Sequence, residues 1–150
     1  MSDDLNQLET WIGDLYARLD AKHMSRVNRT VGTTLRRSQA QRIIAQQNPD
    51  GSQYAPRSNR RLRTKKGTIR RRKMFSRIRL NKYFINASNA NEVTVGFRGR
   101  NAVIAAVHQY GESTKNFGRM IRMPKRELLG LTDQEIETIR DIYLSLLSGK

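Results

Sequence analysis

Between Gly51 and Asn91 the chain carries 13 Lys/Arg and not one acid. Each of those charges, if buried, would need a partner that the segment itself does not contain. The flanks have the opposite character. Residues 1–20 hold five acids against one Arg, and residues 127–150 hold five acids against two basic residues. The chain is acidic, then basic, then acidic, with a formal net charge of +16. Clustered Lys/Arg suits a polyanion bound by counterion release. Charge-complementary contact between copies of one chain suits it equally well.

A length of 150 residues predicts a single domain over 1–150, with a basic extended loop at about 55–73. With 37% hydrophobic and 28% charged residues the core has to be economical. The absence of cysteine excludes disulfides, thiolate metal sites and a cysteine nucleophile. No apolar run approaches the roughly 18 residues of a membrane span, so no membrane is expected. The start, MSDDLNQLETW, is acidic where a secretion signal would be basic, which predicts a protein made and used in the cytoplasm.

Periodicity predicts an α+β fold: two N-terminal helices, a small antiparallel β-hairpin or sheet, a short helix and a C-terminal helix. Leu5, Leu8, Ile12, Leu15 and Leu19, widened by Trp11 and Tyr16, form an amphipathic stripe over 4–21. A second helix is expected over 25–47, on Val27, Val31, Leu35, Ile43 and Ile44, with Gly32 marking close packing or a kink. Asn48-Pro49 should end it, since the residue before proline avoids the helical region. Pro49-Asp50-Gly51 then forms a turn. No period exists from Arg57 to Lys73, so that stretch reads as an extended loop that a partner would order. A short helix or turn near 72–78, a strand near 79–86, a turn at 88–91 and a strand on Val93, Val95 and Phe97 follow. Residues 101–110 are helical with Val103, Ile104 and Val107 on one side, and Gly111 is a natural stop. Residues 112–126 are a loop or a further hairpin. Thr132 to Glu135 forms a capping box, ahead of a helix whose buried face is Ile136, Ile139, Ile142, Tyr143 and Leu146.

Chemistry is scarce. The chain has two histidines, and no HExxH, GxSxG or GxxxxGK[ST] occurs. The acids sit on the terminal helices as caps and solvated faces. No enzyme and no cofactor is predicted. His108 reads as a packed histidine near a helix end, or as part of a subunit contact; a metal site would need further ligands close by. The basic segment 57–82 reads as a solvated loop, a strip ordered by a partner's acidic surface, or a phosphate contact. No aromatic lies between Arg57 and Lys73 to stack bases, so sequence-specific nucleic-acid recognition is not expected.

The ordered set LRRSQAQRIIAQQNPDGSQYAPR (35–57), KMFSRIR (73–79), VTVGFRGRNAVIAAVHQYGE (93–112) and RMPKRELLGLTDQEIETI (122–139) resembles the tail completion, or virion morphogenesis, proteins of contractile-tailed bacteriophages. The resemblance weakens over the first 20 or so residues. That family often has Arg-Pro just before its Leu-Gly, whereas here Arg126-Glu127 precedes Leu128-Leu129-Gly130.

The resemblance implies a structural, non-enzymatic virion part at the phage neck or tail end. Such a part completes the tail and enables head–tail joining. It implies a homo-oligomeric ring, most simply a hexamer, touching the tail tube or tail terminator and head connector proteins. Nonspecific contact with DNA in the channel is compatible with that role. The alternative is a basic, sequence-nonspecific nucleic-acid-binding protein. The expected partner or subunit interface is the basic arm: Arg57, Arg60, Arg61, Arg63, Lys65, Lys66, Arg70, Arg71, Arg72 and Lys73. Pro49, Asp50, Gly51, Tyr54 and Pro56 form its turn and root. By resemblance, His108, Gln109, Tyr110, Gly111, Arg126, Leu129 and Gly130 are structural or interface positions.

Overall fold

A computed structural model describes residues 2–57, 63–64, 67–68 and 73–149, and the side chains from Leu5 onward apart from those of 63–64 and 67–68. The order is α1 (Ser2–Arg18), α2 (Ala21–Ile44), β1 (Arg63–Thr64), β2 (Gly67–Thr68), β3 (Phe84–Ser88), β4 (Val93–Phe97), α3 (Arg100–Tyr110), β5 (Ser113–Asn116), β6 (Arg119–Arg122) and α4 (Asp133–Ser148). The strands form three two-stranded pairs, β1–β2, β3–β4 and β5–β6. The architecture is mixed α+β, as its periodicities predict.

The boundaries shift for local reasons. Helix α2 starts at Ala21 rather than 25 because Asp20 caps it, its Oδ1 accepting the His23 backbone N–H at 2.8 Å. That bond, then the one to the His23 ring, holds the Asp20 carboxyl below its ordinary range. At the other end the proline does not stop the helix; Gln46 does. Gln46 adopts φ 59, its Nε2 donates to the Ile43 carbonyl at 2.7 Å, and the helix ends at Ile44. Residues 74–83 are successive turns, which is the turn alternative expected near 72–78, and the strand expected near 79–86 begins only at Phe84. Phe75, at φ 62, interrupts any helix there. Residues 63–64 and 67–68, expected as extended loop, pair antiparallel through Arg63 opposite Thr68 and Thr64 opposite Gly67. Residues 113–122 form a hairpin whose tip, Phe117-Gly118, has φ 48 and 79. Both values are positive, as a two-residue type I′ loop requires.

The chain divides into two compact units. The first comprises Met1–Leu35, Asn86–Val95 and Asp133–Lys150. In it Val31 and Asn28 are buried. Asn28 Nδ2 donates to the Asn89 carbonyl at 2.8 Å, and the Tyr143 hydroxyl donates to Asn28 Oδ1 at 2.6 Å. Gly32 marks close packing, since a Cβ there would lie 3.1 Å from Asn86 Nδ2 and 3.2 Å from Val93 Cγ1. Arg18 Nη1 donates to the Leu147 carbonyl at 3.2 Å, tying α1 to α4. The stripe of α1 is mostly uncovered: Leu5, Leu8, Trp11, Ile12, Tyr16 and Leu19 are all exposed. On α4, Ile139, Ile142, Tyr143 and Leu146 are half-buried while Ile136 is exposed, so the apolar face is narrower than its periodicity suggests.

The second unit comprises Arg36–Ile85 and Gly96–Thr132. Its core joins Ile43, Ile78, Ala105 and Leu128, with Phe75 and Phe97 against them, and Phe84 stacks on Phe97 at 4.5 Å. Helix α3 buries Ala105 and leaves Val103 and Ile104 exposed, so of the three residues expected on one side only Val107 is half-buried. Gly111 ends α3 at φ 65, the left-handed cap.

Candidate functional site

The second unit assembles the sequence motifs on one buried guanidinium. Arg126 is 3% exposed, although arginine is almost never fully buried without partners. Its Nε donates to the Ala55 carbonyl at 2.7 Å and its Nη2 to the Pro56 carbonyl at 2.9 Å. Its Nη1 lies 3.1 Å from His108 Nδ1. A guanidinium has no acceptor, so the imidazole nitrogen must accept, and His108 is neutral with its proton on Nε2. Burial first, then the Arg126 charge, lower the His108 pKa from its ordinary value, while a hydrogen bond with the Pro124 backbone opposes them. Burial, then the Arg57 charge, lower that of Arg126. The Arg126 backbone N–H donates to the His108 carbonyl at 2.8 Å.

The segment after Arg126 is latched residue by residue. Gln109 Oε1 accepts the N–H groups of Leu128 and Leu129, each at 2.9 Å, and its Nε2 donates to the Leu129 carbonyl at 2.8 Å. The Glu127 N–H donates to Asn48 Oδ1 at 2.8 Å, a bond that a proline at 127 could not make. Arg42 Nη2 donates to the Gly130 carbonyl at 3.0 Å. The Tyr54 hydroxyl donates to the Glu127 carbonyl at 3.2 Å, and burial pushes its pKa up to about 12.

The turn leading into the arm is set by its own residues. Asp50 Oδ1 accepts the Ser52 N–H at 2.9 Å and the Ser52 hydroxyl at 2.5 Å. These bonds, the hydroxyl first, lower its pKa. Gly51 has φ 86, and Pro49 lies so close to Gly130 that a Cβ there would fall 2.5 Å from Pro49 Cγ. Tyr54 then sits edge-on to Phe75 at 5.7 Å, and Phe75 edge-on to His108 at 4.9 Å. An aromatic residue at positive φ is strained, and here it is held by aromatic neighbours on both sides. Beside this cluster opens a recess of about 690 Å³.

Of the expected arm residues, Arg57 and Lys73 are described; both are exposed, and Lys73 Nζ donates to the Ile44 carbonyl at 3.3 Å. Arg63 is described only as backbone of β1. Arg60, Arg61, Lys65, Lys66, Arg70, Arg71 and Arg72 lie outside the described residues. Pro49, Tyr54, Pro56, His108, Gln109, Arg126, Leu129 and Gly130 come together, Gly111 adjoins them as the cap of α3, and Tyr110 faces solvent. Asn48, Gln46 and Phe75 are participants that sequence reasoning missed. Asn48 had a signal, the Asx-type side chain ahead of a turn. The positive φ of Phe75 had none.

A profile for the phage virion morphogenesis family matches residues 3–148. Tail completion protein S of Escherichia phage P2 is 33% identical over 148 residues, which is 97% of this chain and 98% of that protein. No solved structure matches.

Proposed function

Because the chain belongs to the phage virion morphogenesis family, we propose that it is a non-enzymatic structural part of the virion tail that completes the tail for joining to a head. The observation that carries this is full-length similarity to a tail completion protein. The geometry supplies a working part: Arg126 grips both carbonyls at the root of the basic arm, so the arm leaves a rigid base. A rigid base lowers the ordering cost when a partner captures the arm. The arm's occupant is an acidic protein surface, on a neighbouring copy in a ring, most simply a hexamer, or on the tail tube, tail terminator or head connector. A ring needs heterologous contacts, in which one face of a copy meets a different face of the next. The opposed charges of the flanks and the arm suit that geometry.

The test is charge reversal at Arg60, Arg61, Arg70 and Arg71 in a phage carrying the variant gene. The purified variant should keep its thermal midpoint, while infected cells accumulate separate heads and tails. Normal phage yield would refute the arm's role. Loss of folding would place the arm in the structural core instead.

A further inference from the structure

The recess beside the clamp and the uncovered stripe of α1 are complementary. The recess has an apolar floor of Phe75, Ile78, Ile104 and Ile121, and a rim carrying Arg57, Arg77 and Arg122. All three rim arginines are exposed, and among the described residues that line the recess none carries a carboxylate. Its 690 Å³ is ample for several side chains. The helix α1 offers what would fill it. Leu5, Trp11 and Tyr16 are 63%, 57% and 75% exposed, with Leu8 and Ile12 uncovered between them. Leu5, Leu8 and Ile12 stand at i, i+3 and i+7, the spacing of anchors on an amphipathic helix that enters a groove. The same helix bears Asp3, Asp4, Glu9 and Asp14 against the single cation Arg18. Glu9 follows one residue after Leu8, beside the stripe.

We infer that α1 of one copy docks in this recess of a second copy, its apolar stripe on the Phe75–Ile104–Ile121 floor and its carboxylates toward Arg57, Arg77 and Arg122. Charge complementarity selects a second copy as the occupant, since an acidic apolar helix and a cationic apolar groove occur on the same chain. The contact is heterologous: helix and groove are different surfaces, so each copy gives one and receives one. Opposite charges bring the pieces together and set the helix direction, and the apolar floor supplies most of the attraction. The inference rests on the homo-oligomeric part of the reading above and is independent of what the assembled protein does for the tail.

The cysteine-free chain allows the contact to be trapped. One preparation carries Leu8→Cys and another Ile104→Cys, both at exposed positions. The two full-length proteins are mixed in a glutathione redox buffer and followed on a non-reducing gel. The mixed disulfide should form several-fold faster than between Leu8→Cys and a Phe117→Cys control, whose site is 86% exposed but outside the recess. Adding Arg77→Glu and Arg122→Glu to the groove chain should remove that advantage, and adding Glu9→Lys and Asp14→Lys to the helix chain should restore it. Ile12→Cys serves as a second helix site should Leu8→Cys fail to fold. A mixed disulfide no faster than the control, or one indifferent to the groove charges, overturns the inference. Trapping with normal charge dependence from a chain that does not complete tails would sustain this contact and remove the function proposed above.

Discussion

Arg126 holds its buried charge against two carbonyl oxygens and an imidazole nitrogen, with the Glu127 carboxylate drawn instead to Lys125 Nζ at 3.1 Å. Three directed N–H bonds at fixed angles suit guanidinium, and an ammonium cannot reproduce the fork. Arg126→Ala should therefore destabilise the protein by about 2–3 kcal/mol, since it removes three bonds at once, two of them to the Ala55 and Pro56 carbonyls, and empties a buried site. Arg126→Lys should recover less than half of that loss, as read from urea midpoints. His108 makes the same cluster sensitive to acid. Its pKa is lowered in the folded protein, so below about 6.5 the unfolded chain takes up a proton that the folded one refuses. Stability is then complete above pH 6.5 and declines as the pH falls through the window beneath it. His108→Asn keeps an acceptor near Nδ1 and should abolish this slope between pH 7.5 and 5.5 in thermal melts. The lowered carboxyls of Asp20 and Asp50 lose their contributions only in more acid solution, below 3.8, the value from which both are shifted.

At the scale of elements, the strap from Arg126 to Gly130 has little regular structure and is held by side chains from α2, α3 and the turn after α2. Side-chain amides take the place of a sheet ladder: Gln109 pins Leu128 and Leu129 and Asn48 pins Glu127 in the strap, while outside it Gln46 receives the Met74 N–H at 2.8 Å. The strap also depends on the absence of a side chain at Gly130. Gly130→Ala would press a Cβ into the Pro49 ring and should cost roughly 1–3 kcal/mol, the usual range for overpacking. Unchanged stability in differential scanning calorimetry would show that the strap moves aside freely.

For the whole molecule, the decisive property is where +16 is placed. The chain enters its most basic stretch at Ala55 and Pro56, whose carbonyls Arg126 holds, with the Arg57 charge close by. A stretch this basic attracts phosphate without reading sequence, and the consequence is measurable. Duplex binding should be weak at physiological ionic strength and indifferent to sequence in fluorescence anisotropy. Nanomolar affinity there with a steep salt slope would favour the nucleic-acid-binding alternative over assembly.

Most elements were legible because they rest on local rules: the stripe of α1, the alternation of Val93, Val95 and Phe97, the positive-φ glycines 51 and 111. The ordered motifs carried the family, because their order and spacing survive without any knowledge of contacts. What the motifs do was not legible. Arg42, Asn48 and Gln109 lie 88, 79 and 19 residues from the strap groups they bond, and only the folded chain brings them to hydrogen-bond distance of one strap. The outward turn of Val103 and Ile104 was equally hidden, since small Ala105 is what fits against Ile43 and Leu128. Sequence determined the elements, the charge layout and the kinship, for these depend on neighbours along the chain. Tertiary structure decided which face is buried and which polar group satisfies which, because burial and hydrogen-bond geometry depend on neighbours in space.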